Sequence, residues 1–156
     1  MENPSISQLL EALKHSDEAV RQEATDELWR IWFQQKGIHG TRQLMKSQTL
    51  LEAGQVDEAE ALLSEVIQDQ PDFAEAWNRR AVLYFTQGRY WDAIADCQRV
   101  LDLIPYHFGA LHGLGLCHAA LNNYVAAIQA FRQALEVQPY SLINQRLILE
   151  CTAKLS

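Results

Sequence analysis

Cysteine is scarce in this chain, with only Cys97, Cys117 and Cys151 among 156 residues. The number is odd and no two stand at CxxC spacing. All three fall inside helical patterns, so neither a disulfide framework nor a closed zinc site is readable. They read as buried free thiols. Basic charge is thin as well: 13 Lys and Arg against 20 Asp and Glu leave a net charge of -7. A nucleic-acid surface must neutralise phosphates with clustered cations, and no such cluster exists, which excludes nucleic acid as a partner. Unbroken apolar runs are missing too. The longest stretch without Asp, Glu, Lys or Arg, Leu103 to Phe131, has the length of a membrane span. Pro105, Gly109, Gly113, Gly115, Asn122, Asn123 and three histidines interrupt it. A bilayer would leave those polar groups unsatisfied, so no membrane partner is expected. Met1 to Leu13 carry Glu2 and Glu11 and no sustained apolar run. No secretory or transit signal is readable there, and the cytoplasm is the expected compartment.

Proline is rare but placed with regularity. Pro71, Pro105 and Pro139 follow one another at intervals of 34 residues, the period of stacked helical hairpins. Counting back from each gives units at about Gly40 to Asp72, Phe73 to Tyr106 and His107 to Tyr140. The middle unit reads Trp77-x2-Arg80-Ala81-x2-Tyr84, then Gly88, Tyr90, Ala93, Cys97 and Pro105. That pattern closely resembles the tetratricopeptide repeat signature. The third unit reads Leu111-x2-Leu114-Gly115-x2-His118, then Asn122, Tyr124, Ala127, Phe131 and Pro139, with His118 where a Tyr is usual. The first keeps Ser47, Leu50, Gly54, Ala59, Leu63 and Pro71, but has Gln43 and Lys46 where the family normally places Trp and Leu.

The residue types make physical sense as helix pairs. Ser47, Ala81 and Gly115 on the first helices, and Ala59, Ala93 and Ala127 on the second, are small where two helices must approach closely. Trp77, Tyr84, Tyr90, Tyr124 and Phe131 fill the space around those contacts. Gly54, Gly88 and Asn122 suit left-handed turns at the ends of the first helices. The three prolines end the second ones. Asp72, followed by Glu75, reads as an N-cap with a first-turn acid. Helices are therefore expected near 41–53, 56–69, 73–87, 90–103, 107–121 and 124–137. The fold class is all-α, an α-α superhelix of tetratricopeptide type with an N-terminal helical hairpin cap and a C-terminal capping helix.

Outside the repeats, Ser5-x-x-Gln8 opens a short helix with a capping-box pattern. A second helix begins at Ser16, Asp17 and Glu18 and runs through Val20, Ala24, Leu28, Ile31 and Trp32 to Gly37. The expected segments are 1–39 for this hairpin, 40–140 for the repeats and 141–156 for the last helix. The hairpin either caps the open end of the array or fills the groove with Trp29, Trp32 and Phe33. The last helix, Leu142 to Leu155, is apolar over much of its circumference. It either packs on two sides within the chain or meets a second chain, which makes a homodimer a possible state.

No catalytic, cofactor or metal site is expected. His107, His112, His118 and Cys117 lack a reactive spacing, and His112 and His118 stand six residues apart, on different faces of one helix. Gly109, Gly113 and Gly115 lie in a helix pattern without the strand and lysine of a phosphate loop. Acidic residues gather in the first half, either as a solvated face or as a field for a basic partner. The resemblance implies binding of a protein segment on the concave face lined by the first helices, as an adaptor or scaffold for a protein or peptide partner. That groove would show Leu44, Gln48 and Glu52, then Asn78, Arg79, Val82 and Phe85, then His112 and Leu116. Chaperone-binding members hold a carboxylate with a clamp of Lys, Asn and Arg. Leu44, Gln48, Gly109 and Gly113 replace four of its members here, which argues against that mode. The competing reading is a self-associating structural protein joined through its C-terminal helix.

Overall fold

The computed structural model describes residues 3–156; Met1 and Glu2, at the start of the hairpin segment, lie outside the described residues. Among the described residues there are nine α-helices and no strand: α1 (Ile6–Ala12), α2 (Glu18–Phe33), α3 (Gly37–Glu52), α4 (Val56–Asp69), α5 (Ala74–Thr86), α6 (Tyr90–Leu103), α7 (Phe108–Ala120), α8 (Tyr124–Val137) and α9 (Leu142–Lys154). From α3 to α9 each helix packs on the next, and α5 also touches α7. This is the architecture of a tetratricopeptide solenoid. The capping box at Ser5 and Gln8 forms with both of its hydrogen bonds. α2 stops earlier than its pattern, and α3 starts at Gly37 rather than at 41. Gly37 takes φ +68°, a left-handed turn that redirects the chain.

The helix pairs close on their small residues. Ala59, Ala93 and Ala127 are fully buried, and Ser47 and Ala81 nearly so. A Cβ on Gly115 would overlap the ring of Phe131. Gly54, Gly88 and Asn122 each adopt positive φ, so all three hairpins turn alike. The residue before each proline, Gln70, Ile104 and Gln138, leaves helical geometry, as the ring of a following proline requires.

The departures of the first repeat mark an end. In α5, Arg80 forks onto Asp96 at 2.7 and 2.9 Å and reaches back to Ser64 on α4 at 3.1 Å. Trp77 donates its indole N–H to the Pro71 carbonyl of the preceding turn at 2.9 Å. These two places face the previous repeat. Gln43 and Lys46 hold them in α3, where no previous repeat lies, and Lys46 is exposed.

The α1–α2 hairpin covers a different face from the open end of α3. α2 crosses the N-terminal ends of α5 and α7 and reaches the turn after α8. Its buried row Ala24, Leu28 and Trp32 joins Leu9, Leu13 and Phe108 in one cluster, with Ile104, Tyr106 and Val137 packed against it. Trp32 stacks on His107 with ring centroids 4.1 Å apart, and Trp29 meets His107 and Phe108 edge-on. Near its start, Arg21 lies over the Tyr140 ring at 4.1 Å. The reason is chemical. The repeat junction at Ile104, Tyr106 and Phe108 is apolar, whereas the outer side of α3 offers Gln43 and Lys46.

Glu75 stands in the first turn of α5, as the pattern indicates, but Asp72 is not the N-cap of that helix. Phe73 is the N-cap of α5 and makes no side-chain cap bond. Asp72 pairs with Lys36 at 2.7 Å and so ties the α2–α3 turn to α5. Glu75 is fully buried and accepts from His107 Nε2 at 2.8 Å and from Asn78 at 3.2 Å. His107 Nδ1 accepts the Ala110 N–H at 3.0 Å, so His107 is the Nε2–H tautomer and the N-cap of α7 at once.

Two measurements check this packing. Gly→Ala inside a helix ordinarily stabilises by about 0.5–1 kcal/mol. At Gly113 an added Cβ meets only Cys97 Sγ, at 3.6 Å, so Gly113→Ala should raise the thermal midpoint. Gly115→Ala should lower it, and equal shifts would place Phe131 elsewhere. His107→Ala removes a cap and the main donor to a buried carboxylate, which should cost about 2–3 kcal/mol in urea unfolding. An unchanged urea midpoint would mean that Trp32 is seated without His107.

Candidate functional site

α7 has no polar face. It is packed by α6 and α8 and touched by α5, and α2 lies over its first turn through Trp29 and Phe108. A helix enclosed in this way must be apolar all round, which accounts for the long uncharged stretch of the sequence. The side of α7 turned toward α5 remains partly open. There α5 and α7 leave a depression of about 170 Å³, lined by Asn78, Ala81, Val82 and Phe85 on α5, by Gly109, His112, Gly113, Leu116 and Cys117 on α7, and by Cys97 beneath.

Two in-register rows build it. Asn78, Val82 and Phe85 follow helical spacing on α5; 34 residues on from the first two, His112 and Leu116 repeat the row on α7. Val82 is 52% exposed, so a sizeable apolar side chain stands at the rim without a partner. Phe85 is held edge-on by Tyr90 at 5.5 Å between centroids. His112 Nδ1 lies 2.7 Å from Asn144 Oδ1 on α9. Asn78 is buried with its amide on Glu75. The polar atoms of the site are thus oriented by second residues, and its surface is otherwise hydrocarbon and sulfur.

Of the nine residues expected to line the groove, five come together here: Asn78, Val82, Phe85, His112 and Leu116. Leu44 is buried in the core cluster that includes Phe73 and takes in Phe33 from α2. Gln48 lies beyond the depression, 3.5 Å from Arg79. Arg79 is held by the protein's own groups, with its guanidinium 4.4 Å above the Phe33 ring and 3.5 Å from Glu75. α2 therefore covers the Leu44 end and leaves the α5–α7 end open. In the sequence Gly109 and Gly113 stand out as breaks in an uncharged stretch and as replacements in a clamp, not as lining residues. A Cβ on Gly109 would come within 2.6 Å of Trp29, so that place is taken by the hairpin. Gly113 keeps the depression deep. Their spacing with Leu116, at i, i+4 and i+7, was the available signal.

The two cysteines of the wall are not nucleophiles at neutral pH. Burial pushes the Cys97 thiol far above its ordinary range and Cys117 up to about 11, which leaves both as packing groups with weak S–H donors.

Tetratricopeptide repeat models match residues 44–108 and 109–141. A TPR repeat-containing protein of Rhizobium etli is 35% identical over 94 residues, which are 60% of this chain and 46% of that protein. The Protein SGT1 homolog of Bos taurus is 34% identical over 71 residues, 46% of this chain and 21% of that protein. The matching stretch thus spans less than half of either relative. Among solved structures, the first TPR of Spaghetti (RPAP3) bound to an HSP90 peptide superposes with a TM-score of 0.70 at 20% identity, covering 74% of this chain and 91% of that one. The MamA protein superposes with a TM-score of 0.69 at 17% identity, covering 96% and 73%. These likenesses concern the fold. With the model matches, the repeat phase and the packing of α3 to α8, they establish that the chain belongs to the tetratricopeptide repeat family.

Proposed function

We propose that this protein is an interaction module, an adaptor or scaffold that binds a segment of another protein by taking one bulky apolar side chain between α5 and α7. The observation that carries this reading is the apolar depression itself, with Val82 exposed at its rim and Leu116 opposite. An apolar cavity of about 150 Å³ holds a molecule of benzene, and the 170 Å³ here suits one aromatic or branched side chain. Interaction sites of this kind place an apolar anchor in a pocket and surround it with weaker contacts. His112, whose Nε2 is not used by Asn144, would orient the segment by a hydrogen bond at the edge of the pocket.

Support also comes from the neighbours. TPR domains of RPAP3 and of yeast Sti1 superpose on this chain and carry HSP90 or HSP70 peptides. The mode is proposed to differ, because Gly109 and Gly113 stand where a carboxylate clamp would have its cations and Arg79 is already engaged by Glu75 and Phe33. Recognition then rests on an internal apolar residue of the partner rather than on a C-terminal carboxylate.

Selection from a displayed random-peptide library tests this. Enriched peptides should share one large apolar residue and gain nothing from a free C-terminus. Val82→Glu and Gly113→Leu, which charge the rim and fill the floor, should weaken them by about tenfold or more while the fold is retained; Phe85→Ala should cost about 1–2 kcal/mol of binding. Arg79→Ala should cost less. Peptides that bind Val82→Glu and Gly113→Leu as well as wild type would move the site away from this pocket.

A further inference from the structure

α9 stands where a fourth first helix would stand. The small residues Ser47, Ala81 and Gly115 recur every 34 residues, and the next place in that series is Leu149. In the third repeat the second helix lies so close that a Cβ on Gly115 would overlap Phe131. Leu149 is instead 70% exposed, and a second helix cannot close on a leucine at that distance. Leu142, Arg146, Leu149 and Ala153, at i, i+4, i+7 and i+11, share this outer face. Leu142 is 77% exposed, while Asn144 and Cys151 on the opposite side are buried. Arg146 and Glu150 lie along one edge of the face, 3.5 Å apart and both exposed.

We propose that this face pairs with the same face of a second copy of the chain, as an antiparallel helix pair centred near Ile148. About a two-fold axis at that point, the two Leu149 side chains meet in the middle and Leu142 of each copy covers Ala153 of the other. Arg146 of each copy then lies opposite Glu150 of the other. The order of charges along the edge selects this occupant: read backwards the edge is its own complement, whereas a parallel pairing would set Arg146 against Arg146. Two-fold interfaces require such self-complementarity. Three helical turns bury far less than the roughly 1,600 Å² of a standard stable interface, so the pair is weak and depends on concentration.

Sedimentation equilibrium on the full chain, from micromolar to millimolar concentration, tests the pairing. Wild type should rise from monomer to dimer mass. Arg146→Glu and Glu150→Arg should each associate about tenfold more weakly or worse, with helicity unchanged because both side chains are exposed. An equimolar mixture of the two should regain the dimer, since one chain then offers two acids to two bases on the other. The double variant Arg146→Glu/Glu150→Arg should recover it alone. Val82→Glu should leave the association untouched, which separates this face from the pocket. A wild type that stays monomeric throughout, as it would if a different protein covers Leu149, overturns the proposal. So do charge variants that pair as well as wild type, or a mixture that stays monomeric.

Discussion

The structure depends first on how closely the paired helices approach. Where Gly115 meets Phe131 and where Ala81 and Ala93 lie buried, side chains are small enough for a neighbouring ring or backbone to come into contact. A larger residue would force the two helices apart, and every later repeat would inherit the error because each packs only on its neighbours. The same closeness makes the pocket. With α5 and α7 drawn against their own partners α6 and α8, the space between the two first helices is left incompletely filled, and Gly113 adds nothing to fill it.

A second contact sets how much of the face between the first helices stays open. Trp32 lies flat on His107, and His107 is held by Glu75 on one side and by the α7 backbone on the other. This seats α2 across the starts of α5 and α7, puts Phe33 under the Arg79 guanidinium and aims Trp29 at Gly109. Polar residues that looked free in the sequence are thereby engaged internally. What stays available is an apolar site with little charge of its own, in a chain whose acids are mostly elsewhere.

The sequence made the hairpins legible because their signals are local: a proline two residues after a helix, a Gly or Asn at positive φ, a small residue every 34 positions. Asp72 misled because an N-cap pattern is judged within one turn, whereas its real partner, Lys36, lies 36 residues away. Glu75 does take the first-turn place, but its buried partner His107, 32 residues on, is beyond any local pattern. Gln43 and Lys46 looked like a degraded copy and are the polar outer side of an end. The row Ala24, Leu28, Trp32 announced burial but not against what. Asn78, Val82, Phe85, His112 and Leu116 could be grouped from helical spacing alone, since the repeat carries one row onto the next. Leu44 could not, because the cluster that buries it takes in Phe33, whose position depends on the hairpin's course.

The path of α2 also changes the kind of unfolding this molecule can undergo. A linear array coupled only between neighbours frays from its ends, one repeat at a time. Here Thr25 accepts a bond from Gln138, 113 residues later, at 3.5 Å, and Arg21 covers Tyr140. The N-terminal segment thus closes the row of repeats into a ring of contacts. Fraying at the third repeat strips the covering from α1 and α2, and loss of the hairpin exposes the junction of the second and third. That long closure links the two ends of the row directly, which packing between neighbouring repeats alone does not.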